Sequence, residues 1–320
     1  MYDVVALGEL LIDFTEYGRS EKGTPIFEAN PGGAPCNVLA MLRKLGYKTA
    51  FIGKVGKDSF GEMLRDTLSD LDIDISGLVY DSKIPTTLAF VHNKPDGDRE
   101  FSFYRNPGAD VMLLEQELSY DLIEQCKIFH FGSLSMTANP SETATRTAVS
   151  YAKKQGKMIS FDPNLRMTLW DKMDDAKAAI WYGIEQCDIL KIADNEIQWL
   201  TGEQDFDEAV KIIRERTNAK LITVTLGKDG SLAYYNDKKV YAEPFLRKDT
   251  IDTTGAGDTF CACVLGKLLE YGLENLSEIQ LYNILRMANA AASLITTRKG
   301  ALCSMPELSD IIEMTKMTRE

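Results

Sequence analysis

Short apolar runs alternate with stretches of helical period along most of this chain. Val4-Val5-Ala6-Leu7-Gly8 is continuously apolar, as a strand buried on both faces must be. Residues 35–45 then place Val38, Leu39, Leu42 and Leu45 on one face, and Gly46 follows as a stop, so a helix is predicted there. The beat repeats with a strand at 51–53 and a helix at 60–71. It returns with strands at 128–131, 158–161, 189–192 and 221–225, and helices at 141–155 and 172–186. Repeated strand–helix units predict a mostly parallel sheet covered by helices on both faces.

Two stretches break the beat. Residues 14–30 and 86–104 alternate polar and apolar without an intervening helix. Leu88-Ala-Phe-Val-His92 and Arg99-Glu-Phe-Ser-Phe-Tyr104 flank Asn93-Lys-Pro-Asp-Gly-Asp98, which is hairpin chemistry. The pattern fits a β-excursion at a sheet edge. It also fits a lid built from insertions near 14–31 and 86–106, which would exclude water from a reaction in which water competes as acceptor. With no internal repeat and no low-complexity linker, one domain over 1–320 carrying a small β lid is expected.

Composition narrows the possible ligands. Hydrophobic residues make up 44% and charged ones 26%, enough apolar material for a sizeable core. The net charge of −12 repels nucleic acid and anionic membranes, so neither is expected as a partner. A phosphate-bearing ligand would need local donors. No apolar run approaches the roughly 18 residues that span a bilayer, and the chain opens on a strand pattern without a leader-like segment. The six cysteines are scattered and there are two histidines, so a zinc site is not expected. Free thiols point to a reducing cytoplasm.

Four motifs carry candidate chemistry. Asp252-Thr-Thr-Gly-Ala-Gly-Asp258 precedes a helical stripe of Phe260, Val264, Leu265 and Leu268, which puts Gly255 and Gly257 at a helix start. Amides at such an end face an anion, and Asp258 in the same turn could take a proton from an attacking hydroxyl. A helix cap with a glycine turn explains the same residues. Asn30-Pro-Gly-Gly-Ala-Pro-Cys-Asn37 has Gly32 and Gly33 where a compact ligand could lie against backbone, and Asn37 as donor and acceptor for sugar hydroxyls; a capped loop reads the same way. Asp13 follows the first strand, on the side where open α/β sheets bind ligands, but also where turn residues sit. Thr225-Leu-Gly-Lys-Asp-Gly230 is a glycine turn suited to border a nucleotide or to close a hairpin. No Walker A sequence, dinucleotide fingerprint or serine elbow occurs.

Together these motifs, in order from Gly8 to Pro306, resemble the ribokinase-like (PfkB) family of sugar kinases. The resemblance implies a three-layer α/β/α fold with a β lid, and an ATP-dependent phosphotransferase. It implies Asp258 as general base, Gly255, Ala256 and Gly257 as anion hole, and Asp13, Gly32, Gly33 and Asn37 as sugar site. Thr225, Gly227, Gly230, Gly257 and Asn289 would lie along the nucleotide. Mg²⁺ would accompany ATP, organised indirectly by Glu196. That residue stands in Ala193-Asp-Asn-Glu196, where the family's motif has Asn in place of Ala193. A monovalent cation, K⁺, would be held by Asp252, Thr254, Ile295, Arg298, Gly300 and Ser304. Cys36 and Cys263 stand where small Ala or Gly is usual. Cys36 would border the sugar, open either to a thiol reagent or to plain packing.

The strings Phe103-Tyr-Arg-Asn-Pro-Gly-Ala-Asp110 and Phe161-Asp-Pro-Asn-Leu-Arg166 resemble fructokinases, with Arg105 and Arg166 facing the substrate. Phosphorylation of D-fructose at its 6-hydroxyl is the reading that follows. The runner-up is 2-keto-3-deoxygluconate, whose kinases carry equivalent arginines suited to a carboxylate. An inactive sugar sensor would lack the base or the anion hole, and both are present. A homodimer paired through the lid is expected, burying Phe90, Phe101 and Phe103.

Overall fold

The computed structural model describes residues 1–93 and 99–316. Strand β1 (Tyr2–Leu7) is an interior strand of a large sheet and leads into β2 (Leu11–Arg19) and β3 (Pro25–Gly32). Helix α1 (Ala34–Lys44), β4 (Thr49–Gly56), α2 (Ser59–Asp70) and β5 (Asp74–Asp81) follow. The hairpin strands are β6 (Leu88–Asn93) and β7 (Arg99–Tyr104). After the short α3 (Tyr120–Glu124) come β8 (Cys126–Gly132), α4 (Ser141–Lys154), β9 (Met158–Asp162), α5 (Met173–Gln186) and β10 (Ile189–Ala193). Helices α6 (Asp194–Thr201) and α7 (Phe206–Arg214) precede β11 (Leu221–Thr225), β12 (Ser231–Tyr235) and β13 (Lys238–Ala242). The chain closes with α8 (Ala256–Tyr271), α9 (Glu278–Ile295) and α10 (Leu308–Lys316).

Among the described residues, nine strands form the large sheet in the order β13-β12-β11-β10-β9-β8-β1-β4-β5. Strands β1, β4, β5 and β8 to β11 are parallel, as the repeated strand–helix beat predicts. The edge formed by β12 and β13 is antiparallel and departs from that beat. The glycine turn after Thr225 is the cause: Gly227 and Gly230 take φ of 56° and 93°, conformations that reverse the chain at once. Strand β5 was not legible as a strand because its residues are mostly half-buried at the opposite edge.

Side-chain alternation sorts the sheet into two cores. Val4 and Ala6 join α1, α8 and α9 on one face, while Val5 and Leu7 join α4, α5 and α6 on the other. This is the three-layer α/β/α architecture expected. On the α8 face, buried polar side chains interrupt the apolar pattern toward the carboxyl ends of the strands, among them His130, Ser160, Asp162, Lys191 and Thr223.

The second sheet has the order β3-β2-β6-β7 and covers those carboxyl ends. Register puts Asp13 beside Ala89, and Ala89 beside Phe103, so these share the inner face. Phe14 and Phe90 stack at 4.9 Å on the other face. Phe103 therefore turns inward rather than toward a partner, contrary to the expectation for it. The side chain of Phe101 lies outside the described residues.

Candidate active site

Helix α8 supplies the centre of the site. Its N-cap, Gly255, takes φ of 79°, and a Cβ there would sit 2.6 Å from that of Ala301. Glycine is thus required by both conformation and space. The first turn presents backbone amides at the positive end of the helix dipole. The Ala256 amide is turned back to Thr253 O at 3.3 Å and the Thr259 amide donates to Gly255 O at 2.8 Å, so the Gly257 and Asp258 amides carry the anion-binding geometry better than Ala256 does. A Cβ on Gly257 would lie 3.0 Å from Lys191 Nζ, which puts a buried ammonium against this turn.

Asp258 sits on that turn and is buried. Asn37 Nδ2 donates to its Oδ2 at 2.8 Å, and Asn164 Nδ2 donates to its Oδ1 at 3.0 Å. Burial pushes its carboxyl up to about 6, reinforced by Asp162 and opposed by the Asn37 bond, Lys191 and Arg166. A base whose proton affinity lies close to neutrality is suited to accept a hydroxyl proton. Asn37 Oδ1 is buried without a hydrogen-bond partner and belongs to a side chain lining the cavity, so a ligand hydroxyl is the natural donor to it.

A cavity of about 540 Å³ opens over Asp258, between the lid and the carboxyl ends of the strands. Glu9, Asp13, Asn37, Phe103, Asn164 and Arg166 line its sugar-sized end. Burial raises Asp13 to about 7, with Arg166 opposing and Asp252 and Asp258 reinforcing. Glu9 is likewise raised to about 7 by burial, although its Oε1 accepts the Ala34 amide at 2.8 Å. Gly33 has φ of 126°, and a Cβ there would fall 2.4 Å from Glu9 O. Gly32 ends β3 and does not line the cavity; a Cβ there would meet Asp13 Oδ2 at 2.4 Å, so its part is to leave room for that carboxylate.

The two arginines expected at the substrate diverge. Arg166 lines the cavity. Arg105 does not: its guanidinium donates to Asp110 (Nε at 2.8 Å), Thr137 Oγ1 at 2.8 Å and Leu134 O at 3.0 Å, and is buried there. It fastens the end of the lid to the body. Cys36 also corrects its expectation. It is fully buried among the core residues under α1 and does not border the cavity, so packing explains it.

A second cavity of about 370 Å³ adjoins the first across Thr225, Gly227, Thr253 and Gly257. Gly230 and Asn289 line it as expected, together with Pro244, Phe245, Leu246 and Ala292. Asn289 Nδ2 donates to Ala242 O at 3.1 Å and Glu243 O at 2.9 Å, so its amide nitrogen shapes the wall. The segment 244–247 has no periodic pattern in the sequence, and reasoning from sequence missed it.

The residues expected to manage metals are only partly as anticipated. Glu196 accepts the amides of Ala193 at 2.8 Å and Leu165 at 2.7 Å, which ties the start of α6 to the loop carrying Asn164 and Arg166. Among the described residues no group of three or more His, Cys, Asp or Glu side chains could hold an ion. Ile251 and Asp252 donate their amides to Thr296 O, which brings Asp252 and Thr254 beside the Ile295–Gly300 turn. Arg298 turns its guanidinium to Ser304 O, Met305 O and Asp310, and Ser304 Oγ donates to Lys299 O. Arg298 and Ser304 are therefore left with their backbone oxygens as candidate cation contacts, beside Asp252, Thr254, Ile295 and Gly300.

Residues missed at the centre are Asn164, Glu9, Asp162 and Lys191. Lys191 was visible as a lysine inside an otherwise apolar strand, a signal of a buried charge with a partner. Its Nζ lies 3.0 and 3.1 Å from the two oxygens of Asp162.

Comparison with known proteins agrees with this geometry. The profile of the pfkB family carbohydrate kinases matches residues 1–308. Fructokinase-1 of Zea mays is 40% identical over 313 residues, covering 97% of both chains. The structure of a Xylella fastidiosa fructokinase with bound ATP superposes with a TM-score of 0.89 at 28% identity, covering 98% of each chain. A double mutant of the Vibrio cholerae O395 fructokinase, bound to fructose, ADP and potassium ion, also gives 0.89 at 28% identity, covering 98% of this chain and 99% of that one.

Proposed function

Because this chain belongs to the pfkB family of carbohydrate kinases, we propose that it is a fructokinase moving the γ-phosphate of ATP to the 6-hydroxyl of D-fructose. The observation that carries the reading is Asp258, clamped by two amides where the polar cavity meets the second one. Fructose occupies the polar cavity under the lid, with hydroxyls donating to Asp13 and to Asn37 Oδ1. Asp258 takes the 6-hydroxyl proton as that oxygen attacks the γ-phosphate in line. The first turn of α8 donates to the phosphoryl oxygens as negative charge gathers on them. ATP lies through the second cavity, its base against Phe245, Leu246 and Ala292. Phe103 and the rest of the inner lid face keep water away.

The charge of the cavity favours fructose over 2-keto-3-deoxygluconate. Five carboxyl groups line it, from Glu9, Asp13, Asp194, Glu196 and Asp258, against two cations, Lys191 and, of the two candidate arginines, Arg166 alone. A neutral polyol fits that balance better than a sugar acid. An ATP-consumption assay against fructose, 2-keto-3-deoxygluconate, ribose, tagatose 6-phosphate and adenosine should give fructose the highest kcat/KM. A different winner would replace the sugar and leave the phosphotransfer reading in place.

Mg²⁺ is expected with ATP, neutralising phosphate charge. With Glu196 committed to two amides, Mg²⁺ would be held mainly by nucleotide oxygens and water. K⁺ suits the Asp252 and Ile295–Gly300 region, where it would steady the anion hole. Unchanged activity on replacing K⁺ by tetramethylammonium would remove it. A homodimer would cover the outer lid face, where Phe27 and Tyr104 are exposed next to Phe90. A monomer in sedimentation at micromolar concentration would contradict it. No helix among the described residues is long and apolar enough to cross a membrane. Its free cysteines fit a reducing compartment, and a cytoplasmic location belongs to the same proposal.

A further inference from the structure

Behind Asp258 lies a buried ion pair to which the phosphotransfer reading has so far given no part, although its lysine also lines the cavity. Asp162 ends β9 and Lys191 lies in β10, on neighbouring strands and on the face under α8. The pair is closed at 3.0 and 3.1 Å, with both side chains buried. A charge buried this deeply is costly unless it does something a hydrophobic pair could not. Two contacts say what it does. Asp162 Oδ1 accepts the Asn164 amide at 3.2 Å, holding that residue at φ of 43°. In that conformation the Asn164 side chain reaches Asp258 Oδ1. Lys191 Nζ stands against Gly257, one residue from the base, at the turn that meets the phosphoryl group.

We propose that the Asp162–Lys191 pair is a positioning device for the base: through Asn164 it fixes the Asp258 carboxylate, and its two opposed charges set how firmly Asp258 holds a proton. This rests on Asp258 being the base. The groups facing Asp258 are Asn37 from α1, Asp162, Asn164 and Arg166 from β9 and the loop after it, Lys191 from β10, Asp13 from β2, and the buried Cys261 thiol from α8, which burial keeps protonated. His130 and Ser160 lie beyond the pair, joined at 3.0 Å, and burial keeps His130 neutral by pushing it down to about 3. Of the charged neighbours, Lys191 favours the ionised base and Asp162 opposes it. The pair thus holds the base poised without adding net charge where the anionic nucleotide must arrive.

The test is the acid limb of kcat/KM for the sugar, measured on the full-length enzyme saturated with ATP. Lys191→Met should move the limb to higher pH by about one unit or more, and Asp162→Asn should move it to lower pH. Lys191→Arg, which keeps the charge, should move it less than Lys191→Met. The double variant should return the limb toward its starting point. Thermal melts accompany each variant. If Lys191→Met fails to fold, the Lys191→Arg and Asp162→Asn limbs carry the test. A purely structural pair would lower melting temperature and leave the limb in place, or shift it the same way in both single variants; either result overturns the proposal. Asp258→Asn separates the two readings. Surviving turnover there would remove the base itself, whereas a dead Asp258→Asn with unmoved limbs would remove only the role of the pair.

Discussion

The two adjoining cavities are built by opposite means. The sugar end is a set of buried side chains held by one another: Asn37 and Asn164 on Asp258, Asp162 behind Asn164, and Glu196 on the loop that carries Arg166. The nucleotide end is built from backbone and small or apolar surface, with Gly227, Gly230, Ala256 and Ala292 beside Pro244 and Phe245. The difference teaches where chemistry resides. A reacting hydroxyl must meet one carboxylate in one orientation, so that side is over-determined by hydrogen bonds. A planar base and a polyphosphate chain ask mainly for a slot and a row of amides. Substitutions should therefore strike kcat on the first side and the KM for ATP on the second.

The largest break in that comparison is Asp258→Asn. Turnover should fall by about 10²- to 10⁴-fold, while equilibrium binding of fructose, followed by calorimetry, stays close to that of the parent. Asn37→Ala removes one charged hydrogen bond to the base and the Oδ1 acceptor in the cavity. A loss of about ten- to a hundredfold in kcat/KM for fructose is expected from steady-state kinetics, with the KM for ATP unmoved. The pH profile sharpens the same side. Asp258 is raised to about 6, so the working, deprotonated form predominates above that value. Asp13, which accepts a sugar hydroxyl, is raised to about 7, so activity should reach its plateau only above both values and fall by at least about tenfold per unit below about 6. A profile flat down to pH 4.5 would contradict the burial of the base.

On the nucleotide side Gly230→Ala should be felt through the backbone. Its φ is 93°, and a Cβ would sit 2.3 Å from Ala242 O. The KM for ATP should rise roughly tenfold with the fructose KM unchanged. Phe245→Ala is the mildest case. The ring forms part of the slot wall and carries Arg286 above it at 5.0 Å. A two- to tenfold rise in the KM for ATP, about what one aromatic contact contributes, is the expected kinetic signature. Equal losses on both substrates from either variant would dissolve the division between the two ends.

Local pattern carried a large part of this. The parallel core strands, helices α1, α2, α4 and α5, and the hairpin of β6 and β7 follow from period and turn chemistry alone, because each is decided within a dozen residues. The edge strands β5 and β13 escaped, since partial exposure blurs the apolar run that marks a buried strand, while the fully buried β12 was hidden behind the glycine turn that reverses the chain after Thr225. Within the site, Asp258, Gly255 and Gly257 were legible because their motif is contiguous. Asn164 stood in a string already singled out, yet its role depended on a left-handed backbone that no periodicity signals.

By itself the sequence determined the layered α/β class, the stretches that form the second sheet and the helix start bearing Asp258. Local sterics and the burial of apolar faces act over short stretches of chain, and those are written residue by residue. Only the tertiary structure decided what each charge meets. It brought Asn37 to Asp258 across 221 positions. It paired Lys191 with Asp162, and it turned Arg105 to Asp110 and out of the cavity lining. A buried charge takes whichever partner folding places within about 3 Å, because desolvation makes an unpaired one too costly. Separation along the chain carries no record of that choice.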